Sequence, residues 1–331
     1  MHDFILVVLA IIIALVFDFG NGLNDAANAI ATVVATRVLS LRAAVLMAAI
    51  GNFSGVFIFG VAVATTIGKG LIDPSVVNVY IIISGLIGAI LWVYGASYLG
   101  IPVSASHALI GGFVGSAIAA AGLSAILFDG LIKVILFIAI APLFGMIGGF
   151  LFLVLVMRIF RKSNPYKVNK YFKRLQLISA FSYSVGHGSN DAQKTMGIIA
   201  IVLFSAGYLG NEFHVPLWVI LASYTTIALG TWVGGRRVIK TVGMKLTNLK
   251  PVSGFCAETA GAATIIGCSL AGIPVSTTHV IAGSIAGVGT TRRLSAVRWG
   301  IARNIVWAWI LTIPASAIVG GLLYLGVSFF I

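Results

Sequence analysis

Two aspartates carry the strongest chemical signal in the chain. Asp25 lies in Gly20-Asn21-Gly22-Leu23-Asn24-Asp25-Ala26 and Asp191 in Gly186-His187-Gly188-Ser189-Asn190-Asp191-Ala192, segments identical at five of seven positions. Both stand inside long apolar runs, where an ionised carboxylate is costly unless it is paired or coordinated. Carboxylate, amide oxygen and free main-chain carbonyls together make the ligand set of a small hard cation. Asn21, Asn24, Asp25, Asn190 and Asp191 are therefore the candidate sodium ligands. Helix capping by Asn-Asp would explain one copy; a second copy argues for ion binding.

A second duplicated segment has the chemistry of an anion site. Gly100-Ile101-Pro102-Val103-Ser104-Ala105-Ser106-His107 matches Gly272-Ile273-Pro274-Val275-Ser276-Thr277-Thr278-His279 at six of eight positions, and Gly111 and Gly115 continue the match as Gly283 and Gly287. Each copy reads as a helix start, with Pro in the first turn and Ser or Thr as cap. Such an end offers amide donors and the positive end of a dipole to an oxyanion. Ser104, Ala105, Ser106, Ser276, Thr277 and Thr278, with Asn24 and Asn190, are the candidate anion-binding set. The hydroxyl residues also suit purely structural caps, and His107 and His279 sit a turn inside the helix, where a structural role is equally open. Further accessory candidates are Asp18, seven residues before Asp25; Asn28 and its counterpart Lys194; and Glu258, whose counterpart is Leu86. Lys194 could attract an anion, neutralise Asp191 three residues earlier, or snorkel to an interface.

The elements that must position these residues are membrane helices. In 331 residues, 60% are hydrophobic and 9% charged; mean hydropathy is +1.10. A soluble surface needs roughly 25% charged residues, so a soluble enzyme or a nucleic-acid-binding module is excluded. There is no Walker A loop, no His-Glu-x-x-His and no Ser-His-Asp constellation. Apolar runs of spanning length predict ten crossings, at 4–36, 43–66, 77–99, 102–122, 131–156, 176–207, 214–235, 252–271, 274–290 and 299–327. The first run has Asp3 where a signal peptide would be basic, and it is too long for one.

With ten crossings, seventeen of the 21 Lys and Arg residues fall on one side, which the positive-inside rule makes cytoplasmic. They are Arg37 and Arg42, the cluster from Arg158 to Arg174, Arg236 to Lys250, and Arg292, Arg293 and Arg298. Both termini are then extracytoplasmic, in the cell membrane. A third duplicated pattern, Gly60-x-x-Val63-x-x-Thr66-Ile67-Gly68, matches Gly235-x-x-Val238-x-x-Thr241-Val242-Gly243. Three matches in order, at offsets of 166, 175 and 172 residues, identify an internal repeat. Five crossings per half make the halves inverted, which points to secondary transport with a site at the repeat interface. The expected organisation is an all-α membrane protein: repeat 1 over 1–156, a basic cytoplasmic linker over 157–175 and repeat 2 over 176–331. Gly20-Asn21-Gly22 and Gly186-His187-Gly188 are expected to break their helices and free backbone groups for a ligand.

At these residues the chain resembles the inorganic phosphate transporter (PiT) family. The resemblance rests on the duplicated Gly-x-Gly-x-Asn-Asp-Ala and Gly-Ile-Pro-Val-Ser-x-x-His motifs and covers nearly the whole chain. It implies a symporter that imports phosphate with sodium or protons and forms a homodimer. It further implies that Asn24, Asp25, Asn190 and Asp191 belong to the cation sites and that the Pro-Val-Ser motifs cradle phosphate. The chain departs from some relatives in lacking an acidic residue near Asn52 and Leu86. The expected mechanism is alternating access with at least two Na+ per phosphate, one near each aspartate. Proton coupling, sulfate as substrate and a passive anion channel are the alternative readings.

Overall fold

The computed structural model describes residues 2–101, 103–234 and 246–330. Among these, eleven α-helices and three 3-10 turns make the fold, with no strand beyond one isolated bridge between Ile72 and Ile126. The helices are α1 (His2–Ala35), α2 (Leu41–Ser54), α3 (Ala62–Lys69), α4 (Val79–Leu99), α5 (Ala105–Ala121), α6 (Phe128–Ile159), α7 (Pro165–Ser205), α8 (Leu217–Val233), α9 (Pro251–Leu270), α10 (Thr277–Thr290) and α11 (Trp299–Ser328). Each apolar run of the sequence contains a helix. Pro102, the segment from Gly235 to Gly243 and the basic residues Arg236, Arg237, Lys240 and Lys245 lie outside the described residues.

Two apolar clusters make up much of the interior, yet an unusual number of polar side chains is buried among them while large apolar side chains face outward. Asp18, Asn21, Asn24, Asp25, Asn28, His187, Asn190, Asp191 and Lys194 are buried, whereas Ile132, Leu143, Leu151 and Leu155 of α6 are exposed. A membrane makes this the favourable partition, because lipid accepts the apolar faces and cannot hydrogen-bond the polar ones. Four helices (within α1, and α4, α6 and α11) are long and apolar enough to cross alone, and the bent pair α2–α3 makes a fifth candidate.

The long helices α1 and α7 run unbroken through 34 and 41 residues. The expected breaks at Gly20-Asn21-Gly22 and Gly186-His187-Gly188 are therefore corrected. These glycines permit close approach of neighbours instead. A Cβ on Gly22 would strike the Ile227 carbonyl, and one on Gly188 the backbone of Asn52. The polar residues need no opened backbone, because Asp18, Asn21, Asp25, Asn28 and Thr32 follow alternating three- and four-residue steps and form one stripe on α1. The break occurs elsewhere, between α2 and α3, which meet at 84°. Gln193 of α7 compensates it: its Oε1 accepts from the Val63 amide at 2.9 Å, at the start of α3. Of the basic 157–175 stretch only 160–164 is non-helical; Asn164 caps α7, with Pro165 in its first turn.

The helices α5 and α10 are short. At a rise of 1.5 Å per residue they reach about 25 and 21 Å, less than a hydrocarbon core of about 30 Å. Both lie deep in the protein, and their packing crosses between the sequence halves. Gly283 and Gly287 of α10 meet the Pro142 and Met146 carbonyls of α6, and Gly111 and Gly115 of α5 meet the Ile313 and Ala317 carbonyls of α11. Small residues at such crossings bring backbones into contact.

Candidate functional site

The Gly-Ile-Pro-Val-Ser motif is a helix stop followed by a helix start. Gly100 (φ 71°) ends α4 and Gly272 (φ 68°) ends α9 in the left-handed region that favours glycine. The following amides close the turn: Ile101 N donates to the Ala96 carbonyl at 2.9 Å, and Ile273 N to the Cys268 carbonyl at 2.8 Å. Four residues after each glycine comes the cap. Ser104 Oγ accepts from His107 N at 3.2 Å, and Ser276 Oγ from His279 N at 3.4 Å. The serines are thus the caps that the sequence suggests, but Pro274 precedes the cap and does not sit in the first turn. Helix geometry leaves the first-turn amides of Ala105, Ser106, Thr277 and Thr278 without intrahelical acceptors.

The two helix starts meet. Ser106 Oγ donates to the Val275 carbonyl at 3.4 Å, and the His107 and His279 rings cross edge to face with centroids 4.3 Å apart. His107 Nδ1 contacts the Trp309 carbonyl (3.4 Å) and His279 Nδ1 the Ile138 carbonyl (3.5 Å).

Asp25 and Asp191 converge on these starts. Thr277 Oγ1 lies 3.3 Å from Asp25 Oδ2 and 3.2 Å from Asp191 Oδ2. Thr278 Oγ1 donates to Asp25 Oδ1 at 3.2 Å, and Asn28 Nδ2 donates to Thr278 Oγ1 at 2.8 Å. His187 Nε2 stands 3.2 Å from Asp191 Oδ2 and 3.9 Å from Asp25 Oδ2. Asp25, His187 and Asp191 together form a group able to hold a metal ion, with one ligand atom from each inside 4.8 Å. Lys194 Nζ contacts Asp191 Oδ1 (2.5 Å), Ser106 Oγ (2.5 Å) and the Val275 carbonyl (2.6 Å). The alternative of a snorkelling lysine is thereby corrected: Lys194 is buried at the centre, because Asp191 one turn earlier and two oxygens of the facing helix starts hold its ammonium.

The neighbouring asparagines line the same site. Asn24 Nδ2 donates to Asp25 Oδ1 at 2.7 Å and to the Val103 carbonyl at 3.0 Å. Asn190 Oδ1 accepts from Val275 N at 3.1 Å. Asn21 Oδ1 is buried with no hydrogen-bond partner among the described residues.

Two further acids lie away from this centre, Asp18 on α1 and Glu258 on α9. Asp18 accepts from Thr195 Oγ1 at 2.9 Å, and its Oδ2 has no hydrogen-bond partner among the described residues. Glu258 is held by Thr32 Oγ1 at 2.5 Å, by Gln176 Nε2 at 2.9 Å and by Ser179 Oγ. Asp18 and Thr32 are each seven residues from Asp25, or about 10 Å along the helix.

Four contributors are not among the candidates that the sequence offers: His187, Asn52, Ser97 and Ser269. His187 Nδ1 contacts Asn52 Oδ1 at 2.9 Å, which aims Nε2 at the carboxylates. Ser97 donates to Asn24 Oδ1 at 2.9 Å, and Ser269 accepts from Asn190 Nδ2 at 2.9 Å. Ser97 and Ser269 each precede the motif glycine by three residues, so the repeat itself contained the signal.

A cavity of about 1180 Å³ ends against this region. Lys69, Asp129 and Lys133 line it, as do Gly272, Ile273 and Pro274 at the approach to Ser276.

Buried opposed charges, two facing helix starts and an apolar exterior are the features of a multi-pass membrane transporter. The match to the phosphate transporter family model extends over residues 21–320. The chain belongs to that family, and its function is phosphate transport. It is 52% identical to a "probable low-affinity inorganic phosphate transporter" of Rhizobium meliloti (strain 1021), over 97% of this chain and 96% of that protein. A protein of Bacillus subtilis (strain 168) with the same description is 44% identical, over 97% and 96%. A solved structure described as "The sodium-dependent phosphate transporter" superposes with a TM-score of 0.92 at 27% identity, covering 98% of this chain and 100% of that one.

Proposed function

We propose that the protein is a sodium-coupled symporter that imports inorganic phosphate by alternating access. The observation that carries this reading is the Thr277 hydroxyl between Asp25 and Asp191, at the meeting point of two helix starts. The starts at Ser104-Ala105-Ser106 and Ser276-Thr277-Thr278 present amides and hydroxyls to the phosphate oxygens from two sides, with Asn24 and Asn190 beside them. Asn21, Asn24, Asp25, Asn190 and Asp191 supply oxygens to sodium.

Charge explains the coupling. Unit charges about 4 Å apart at an effective dielectric near 20 repel by roughly 4 kcal/mol. Lys194 already compensates Asp191, so phosphate beside the two carboxylates remains unfavourable until a further cation arrives, and by reciprocity bound phosphate tightens that cation. The name of the solved relative supports sodium as the cation. The protein is read as two inverted repeats, 1–156 and 176–331, rocking about this site, with its basic connections cytoplasmic. The cavity at Lys69 and Lys133 is the outer approach for the anion.

The test is uptake of radiolabelled phosphate into proteoliposomes with and without an inward sodium gradient, competed by sulfate. Concentrative uptake that needs the gradient and resists sulfate supports the reading. Sodium-independent uptake that is still concentrative under a proton gradient would indicate proton coupling, sodium-independent flux that never concentrates phosphate a passive channel, and equal competition by sulfate a general oxyanion carrier.

A further inference from the structure

The two aspartates have unlike surroundings, although the motifs around them are duplicated. Beside Asp191, the Lys194 ammonium directs its three N–H groups at three oxygens: Asp191 Oδ1, Ser106 Oγ and the Val275 carbonyl. The corresponding oxygens beside Asp25 are Asp25 Oδ1, Thr278 Oγ1 and the Val103 carbonyl. The residue in the place of Lys194 is Asn28. Its side chain reaches Thr278 and brings no positive charge. Its Oδ1 has no hydrogen-bond partner among the described residues although Asn28 is only 1% exposed. The ion-pair contact of Asp25 among the described residues is the 3.9 Å one to His187.

The two motif asparagines differ in the same sense. Beside the ammonium, Asn190 turns Nδ2 to Ser269 Oγ at 2.9 Å. Beside Asp25, Asn24 turns Nδ2 the other way, bridging Asp25 Oδ1 and the Val103 carbonyl, and gives its oxygen to Ser97. The amide N–H thus stands between the two oxygens that a cation spans in the other copy. Rotating Asn24 to match Asn190 directs Nδ2 to the Ser97 hydroxyl, which can accept as well as donate. That rotation clears Asp25 Oδ1 and the Val103 carbonyl for a cation.

We propose that Lys194 is a tethered cation filling one of two equivalent cation positions, so that a single mobile sodium ion, bound by Asp25 Oδ1, Thr278 Oγ1, Asn28 Oδ1 and the Val103 carbonyl, accompanies each phosphate at this pair. This rests on the sodium-coupled reading and replaces its expectation of one sodium beside each aspartate. One carboxylate with three neutral oxygens suits a monovalent ion, and Asn24 reports occupancy by its amide orientation.

The experiment counts sodium ions. Equilibrium binding of radiolabelled sodium to the purified wild-type protein with saturating phosphate is expected to give one site. The sodium-to-phosphate flux ratio in proteoliposomes, from the gradient at which net flux reverses, is expected to be one. Lys194→Asn restores the residue type of the other copy and should raise both numbers to two. Asn28→Lys should abolish sodium binding, with phosphate still bound. Two sodium ions on the wild type, or a ratio unchanged by Lys194→Asn in folded protein, would overturn the proposal. The wild-type count and Asn28→Lys decide it even if Lys194→Asn does not fold. A wild type that transports phosphate with no sodium stimulation would overturn the sodium reading itself. That failure is distinguishable because it precedes any substitution.

Discussion

Asp25 and Asp191, 166 residues apart in the sequence, both lie within hydrogen-bonding reach of the one Thr277 hydroxyl, at 3.3 and 3.2 Å. A hydroxyl has one proton to donate, so it serves one carboxylate fully at a time. The relationship makes Thr277 the link between the two sequence halves at their most charged point. Thr277→Val keeps the shape and removes the link. Hydrogen bonds to charged groups contribute about 1.5–3 kcal/mol. The expected result is a rise of about tenfold or more in the KM for phosphate, measured by uptake into proteoliposomes, with the protein still monodisperse.

The aspartates themselves should separate into a functional and a structural phenotype. Asp25→Asn removes a charge that, among the described residues, makes no ion-pair contact with a lysine, so sodium-driven uptake is lost while thermal stability in detergent changes little. Asp191→Asn also strands the Lys194 ammonium, and an unpaired buried charge costs about 3–5 kcal/mol. Its melting temperature should fall by several degrees in addition to the loss of uptake. Equal melting curves for the two variants would show that the Lys194–Asp191 pair is not a stabilising contact.

The crossing of α10 over α6 gives a purely structural prediction. A methyl group on Gly287 would collide with the Met146 carbonyl. Overpacking of this kind costs about 1–3 kcal/mol, so Gly287→Ala should lower the melting temperature. Gly267→Ala, whose added Cβ meets nothing within 4 Å, is the matched control and should not.

Lys69 and Lys133, in the cavity before Pro274, act at longer range. Replacing both with Gln should raise the KM for phosphate a few-fold at low ionic strength. The difference should disappear in high salt, because exposed charges are screened beyond roughly 10 Å at 0.1 M. An increase independent of salt would place one of them in direct contact with the ion.

Much of the site was legible because it is written twice. Asn24-Asp25 with Asn190-Asp191, and Ser104 with Ser276, stand out since a chance polar residue in an apolar helix does not recur in order. The helix N-termini followed from cap chemistry, and the structure places Ser104 and Ser276 in that role. The expected break at Gly20-Asn21-Gly22 failed because glycine was read as a breaker when it serves close packing. The spacing of Asp18, Asn21, Asp25, Asn28 and Thr32 already described one face of an intact helix. Asn52 stands in no duplicated motif, and His187 stands in one at a position whose residue type is not repeated. His187 is the counterpart of Asn21, and only the approach of α2 to α7 gives its ring a direction. The break between α2 and α3 was hidden for a similar reason: Gln193, far away in sequence, makes it tolerable.

The central claim is that cations make room for phosphate between two buried carboxylates. Its most direct test is the dissociation constant of phosphate for the purified protein across a range of sodium concentrations at fixed ionic strength. The account predicts that sodium tightens phosphate binding in the wild type, that phosphate tightens sodium by the same factor, and that both effects vanish in Asp25→Asn. A phosphate affinity that is the same in sodium as in choline would contradict it.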